Sequence, residues 1–194
     1  EFKFNYQKTI EAVAHILENE PSRRLNYLRL IKLLYIADRE SLQETGRPIT
    51  GDSVVAMDNG TVLSELYDLI KGKHSETPDW SNYFRKENYE LVMSKHPGND
   101  HLCPFEQEKL EQVKEKHQNM TEWEIARKTH DFPEWKKNEP EEGSSKPIDI
   151  EDIFEALNFD AGLREHIKEE AEAEKNFERL VCKTQEDTQQ GATV

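Results

Sequence analysis

Cysteine is nearly absent: two residues in 194, Cys103 and Cys182, far apart and in no CxxC pair. That spacing offers no disulfide framework and no zinc ribbon, and a reduced, cytoplasmic chain is the expectation. Long hydrophobic runs are missing as well. No stretch approaches the roughly 18 apolar residues of a membrane span, and no signal-peptide pattern opens the chain. The glycines form neither GxxxxGK[ST] nor GxGxxG, so the usual phosphate-binding loops are not written here. Positive charge is in deficit: 26 Lys and Arg stand against 40 Asp and Glu, a net charge of −14. Such a field repels nucleic-acid backbones and favours basic partners.

The deficit is uneven. From Glu139 onward the chain carries 16 acidic and 6 basic residues, while the first 138 carry 24 and 20. A near-neutral body with an acidic appendage is the implied organisation. The segment "EPEEGSSKP", 139–147, has linker composition. We therefore expect a body over 1–138, a linker over 139–147, an acidic helical extension over 148–181 and a disordered tail over 182–194. Removing the extension should leave the body folded.

What is present is helical periodicity. Ile10, Val13, Ala14 and Leu17 fall on one stripe, and Pro21-Ser22 ends it. Leu28, Ile31, Leu34, Tyr35 and Leu42 mark a longer helix, stopped by Gly46 and Pro48. Ile49 to Met57 reads as an extended or irregular link. Asp58-Asn59-Gly60 reads as a tight turn, with a third helix starting at Val62 and ending at Gly72. "ENYELVMSK" alternates like a short strand. A charged helix begins near Phe105. Thr121-x-x-Glu124 is a capping box that opens another. Leu163, Ile167, Ala171, Phe177 and Val181 form a narrow stripe on a final acidic helix. The fold class is mainly α: a compact helical domain with a short β element and a C-terminal helical extension.

No catalytic set emerges. His96, His101 and Cys103 lie within eight residues, but no second ligand pair accompanies them, and a solvated loop explains them better than a metal site. His130 ends the capped helix; without a nucleophile nearby it reads as a last-turn residue facing free carbonyls rather than a general base. Arg23, Arg24, Arg29 and Lys32 read as a solvated helix face. The carboxylate pairs Asp38/Glu40 and Glu65/Asp68 are what charged helices ordinarily produce. No cofactor or metal is called for, and a binding protein is the better class.

The run "LIKLLYIADRESLQETGRPITGDSVVAMDNGTVLSELYDLIKG" resembles the Panacea domain, the antitoxin domain of SocA-like and GepA-type proteins. The resemblance lies in Lys32-Leu33-Leu34-Tyr35-x-x-Asp38, Gly46, Pro48 to Asp52, Ala56, Gly60, Val62 and Tyr67. It continues in "MTEWEIARKTHDFPEW", around Trp123, Thr129, His130 and Trp135, and spans about residues 5 to 138. Thr61 departs from the pattern, which has Pro after the glycine. The resemblance implies an antitoxin that neutralises a cognate protein toxin by direct contact, the toxin being basic if charge is complementary. Some relatives instead act as adaptors that deliver a toxin to an AAA+ protease. A homodimer, or a hetero-oligomer with the toxin, stays open. A transcriptional autoregulator with a helix-turn-helix is opposed by the long Pro-containing link and the acidity. Asp52, Asp58, Asn59, Gly60 and Thr61 are the expected contact residues, because turns hold polar groups outward on a fixed frame. Lys32, Tyr35, Asp38, Tyr67, Trp123 and His130 are the expected structural motif, with Tyr35 an internal brace. The extension should add partner contacts.

Overall fold

The structure, a computed structural model, describes residues 2–191, with side chains described as far as Phe177. It is mostly helical, with two small three-stranded antiparallel sheets. α1 (Tyr6–Leu17) starts where the Asn5 side chain accepts the Lys8 N–H at 3.0 Å, and buries Ile10, Val13, Ala14 and Leu17. α2 (Tyr27–Thr45) is capped by Asn26 and ends at Gly46, whose φ of 76° closes the helix in the left-handed region. Residues from Leu30 through Asp38 are buried without interruption, so α2 is the central helix with neighbours on every side. Lys32 belongs to this buried run and is not part of a solvated basic face.

The link after α2 differs from expectation. Val54–Met57 is a strand, β2, and Gly60–Leu63 is a second, β3, which pair antiparallel as Val54↔Leu63 to Met57↔Gly60. Asp58 and Asn59 are the two-residue turn between them. Helix α3 therefore starts at Ser64, not Val62, and runs to Lys71. Val62, Leu66, Leu69 and Ile70 match a helical period, yet the first of them is buried because all four β3 residues are covered. Two runs rich in β-branched residues around a turn ending in glycine form a hairpin, and this local signal outweighs the period.

The first sheet joins β1 (Arg24–Asn26), β4 (Phe84–Glu87) and β5 (Glu90–Met93) in the order β1-β5-β4; β5 is the expected strand. The short helix α4 (Thr77–Trp80) precedes β4. α5 (Pro104–Lys116) and α6 (Glu122–His130) pack on α2, and the Thr121/Glu124 capping box forms as expected. α7 (Pro133–Lys137) follows directly.

Ser145–Ile148, in the stretch expected to be a linker, forms strand β6 on the free side of β2, giving the order β3-β2-β6. α8 (Ile150–Ala156) and α9 (Ala161–Gly191) come after it. A second apolar cluster unites Leu42, Ala56 and Trp135 of the body with Ile148, Ile153, Phe154, Leu157, Phe159 and Ile167. The segment beyond 138 is thus cored into the rest. On α9, Ile167 packs within 3.1 Å of the point where Gly46 would carry a Cβ, whereas Leu163 and Phe177 are exposed. The stretch expected to be a disordered tail reads as helix as far as Gly191. The side chains of Val181 and Cys182, and residues 192–194 altogether, lie outside the described residues.

Among the described residues, no helix is long and apolar enough to cross a membrane, and no group of three His, Cys, Asp or Glu is placed to hold a metal. In the histidine-rich loop, His101 Nδ1 lies 2.6 Å from Glu11 Oε1, and the same carboxylate accepts the N–H groups of Asp100, His101 and Leu102. Burial pushes the Glu11 pKa up, but these hydrogen bonds prevail and hold it below the usual range. The loop is anchored by an acid, which accounts for it structurally.

Candidate protein-binding cleft

The polar residues of the opening motif build a frame. Asp38 Oδ1 accepts the backbone N–H groups of Ile49 and Thr50, both at 3.0 Å, and its Oδ2 accepts the Thr50 hydroxyl. This fastens the link to α2. Asp52 accepts the N–H groups of Glu65 and Leu66, each at 2.9 Å, and so caps the start of α3. Burial raises both carboxyls, Asp38 to about 6 and Asp52 to about 7, against the hydrogen bonds that hold the charge. The Tyr35 hydroxyl donates to Glu134 at 2.7 Å, and Arg39 binds the same carboxylate at 2.6 Å while stacking over Phe132. These contacts lock α7 onto α2.

The hairpin is gripped from beneath. Lys32 is wholly buried and donates to the Thr61 carbonyl, with no carboxylate beside it; burial lowers its pKa to about 7. Gly60, with φ 90°, lies so close to α6 that a Cβ would fall 2.1 Å from Thr129 Oγ1. The His130 ring stacks on Trp135 at 4.2 Å, and the Trp135 indole donates to the Met57 carbonyl at 3.2 Å. Burial, then the nearby Lys32, push the His130 pKa down. The His130 ring packs on Trp135 and hydrogen-bonds the backbone of Asp58, with its Nε2 buried and unpartnered among the described residues.

Held this way, the hairpin presents only its tip. Asp58 and Asn59 are exposed, whereas Gly60 and Thr61 are buried and Asp52 is turned into the α3 cap. Thr61 sits on β3, an edge strand, where proline is also tolerated. The sequence missed these burials because turn polarity does not reveal which side of a turn a neighbouring helix covers.

Beside the tip lies a cleft of about 560 Å³. It brings together four of the singled-out residues, Asp58, Asn59, Tyr67 and Trp123, with Tyr27, Tyr89, Glu122 and Ser144, which sequence reading did not select. Tyr27 and Tyr89 stack with centroids 6.4 Å apart, and the Tyr27 N–H donates to the Tyr89 carbonyl. Lys71 Nζ sits 5.3 Å from the Tyr27 ring centre and 5.1 Å from that of Tyr67. Tyr89 is 72% exposed and Trp123 57% exposed, which are large values for aromatic rings. Asp58 Oδ2 accepts the Gly143 N–H at 2.9 Å, so the segment leading into β6 forms one wall. Tyr89 had been read only as part of a strand; its place opposite Tyr27 depends on the β1–β5 pairing, which the sequence does not spell out.

Residues 30–136 match the family described as antitoxin SocA-like, Panacea domain. The chain belongs to that family. No match was found among curated proteins or among solved structures. The matched span of the Panacea domain runs from the first turn of α2 into α7 and includes the frame around Lys32, Tyr35, Asp38 and Asp52. Tyr27 and Ser144, on two walls of the cleft, lie just outside it.

Proposed function

We propose that this Panacea domain neutralises a cognate protein toxin by direct contact, and that the cleft beside Asp58 and Asn59 is the contact surface. The single observation that carries this reading is the exposure of Tyr89 and Trp123 beside the half-buried rings of Tyr27 and Tyr67, on an otherwise well-solvated, acidic surface. Tyr and Trp are the residues that dominate binding energy at protein interfaces, and Tyr67 stands on α3, whose start Asp52 caps. Binding of this kind needs no catalytic group. The segment after residue 138 supports it in two ways: it supplies a wall of the cleft, and it adds negative charge that draws a basic partner.

Co-expression with the product of the neighbouring gene tests the proposal, with growth and co-purification as readouts in a protease-deficient host. Rescue together with a stable complex supports neutralisation by contact. Rescue that requires an AAA+ protease would replace it with delivery of the toxin for degradation.

A further inference from the structure

The geometry points to an arginine-bearing segment of the toxin as the occupant of the cleft, an inference that rests on the antitoxin reading. Only two residues lining it carry formal charge, Asp58 and Glu122, and both are negative. Neither has an ion pair among the described residues, and Asp58 spends one oxygen on the Gly143 N–H. Elsewhere carboxylates do pair with lysines and arginines: Glu106 with Lys8, Glu134 with Arg39, Glu44 with Lys109. Two unpaired carboxylates facing flat, exposed aromatic rings form a receptor for a cation with a flat face. Among the described residues, no lysine, arginine or histidine lines the cleft. A guanidinium stacks on Trp or Tyr and donates hydrogen bonds in its own plane, whereas an ammonium offers only a hydrated point charge.

The resident cations fit the same picture. Lys71 and Lys86 stand over the Tyr27 ring, at 5.3 and 5.7 Å, without lining the cleft. Among the described residues no cation stands over Trp123, and its open face is where the incoming guanidinium stacks. The cleft is bounded on one side by the hairpin tip and on another by the chain entering β6.

The test uses the full chain and two probes. The first is N-acetyl-arginine amide set against N-acetyl-citrulline amide, its uncharged near-isostere, read by NMR at the Trp123 indole N–H. Arginine amide is expected to shift that signal saturably in the millimolar range, citrulline amide to leave it in place, and D58N/E122Q to abolish the response. Asn at 58 keeps an oxygen for the Gly143 N–H, so the wall survives the substitution. Equal shifts from both amides, or no shift from either, would overturn the inference. The second probe is the toxin itself. D58N/E122Q is expected to weaken its binding roughly tenfold at low salt, and less at high salt. Toxin bound equally by both proteins would sink the arginine anchor and leave neutralisation by contact standing. Failure of the unaltered chain to bind toxin would sink the antitoxin reading, and the amide titration would still decide the chemistry of the cleft.

Discussion

Lys32→Met should stabilise this protein at neutral pH although it deletes a hydrogen bond. The ammonium is wholly buried, has a carbonyl as its one hydrogen-bond partner, and has a pKa lowered from 10.5 to about 7 by desolvation. A gap of that size corresponds to about 5 kcal/mol of lost stability at pH 7 and below, taken as a ceiling. Met fills a similar volume, but leaves the Thr61 carbonyl unpaired at about 1–3 kcal/mol. The net expectation is a gain of at most about 2–4 kcal/mol at pH 7. Its pH dependence has a definite sign. Between pH 7 and 10.5 the unfolded chain holds the Lys32 proton and the folded chain does not, so the unaltered protein gains stability as pH rises. The advantage of Met should therefore shrink above pH 7 and reverse near pH 10, where a neutral lysine still donates to Thr61. Asp38 and Asp52 act oppositely on the acid side. Their raised pKa values make the folded state the better proton binder between about pH 4 and 7, so their contribution falls as pH rises there. They are present in both proteins and cancel in the difference. Urea unfolding of both proteins at pH 7, 8, 9 and 10 measures it. A difference that stays constant across this range would refute the reasoning.

Gly60→Ala should cost about 3 kcal/mol or more, since it combines a φ of 90° with a Cβ placed 2.1 Å from a buried Thr129 hydroxyl; thermal unfolding reports it. Thr61→Val should raise stability by about 1 kcal/mol in urea titrations, because the Thr61 hydroxyl is buried without a hydrogen-bond partner. Tyr89→Ala and Trp123→Ala should each change unfolding free energy by less than about 0.5 kcal/mol, yet weaken toxin binding by about 2 kcal/mol in calorimetry. Truncation after Asn138 should destabilise the body by more than about 3 kcal/mol, because Leu42, Ala56 and Trp135 lose their apolar cover; an unchanged melting temperature would restore the picture of a detachable extension.

The long helices and the strand at Glu90–Met93 were legible because each carries its own period and its own stop. So was the capping box at Thr121, a purely local device. The hairpin was misread because Val62, Leu66, Leu69 and Ile70 repeat at helical intervals across a strand–helix junction, and periodicity alone cannot see a junction. β6 was invisible for another reason. "SSKPI" is polar and contains proline, and it becomes a strand only because β2 offers it a free edge from a distant part of the chain. The frame residues Lys32, Tyr35 and Asp38 were recognisable as a motif, and Tyr35 as an internal brace by its place on the stripe. Of the residues that line the cleft, Asp58 and Asn59 were expected as contacts, and Tyr67 and Trp123 only as parts of the structural motif. Tyr27 and Tyr89 were not singled out, since their meeting depends on which strands pair.

The strand order β3-β2-β6 also sets a sequence of events during synthesis. When the hairpin leaves the ribosome, β2 has one neighbour, and its other edge is an open row of backbone donors and acceptors. Nothing closes that edge until Ser145–Ile148 emerges, after every strand and helix from β3 through α7 has been made. The nascent chain thus passes through a stage in which its most template-like surface is uncovered, and non-local closures of this kind are slow. A single substitution in β6 could lower the yield of folded protein while leaving the finished molecule nearly as stable as before.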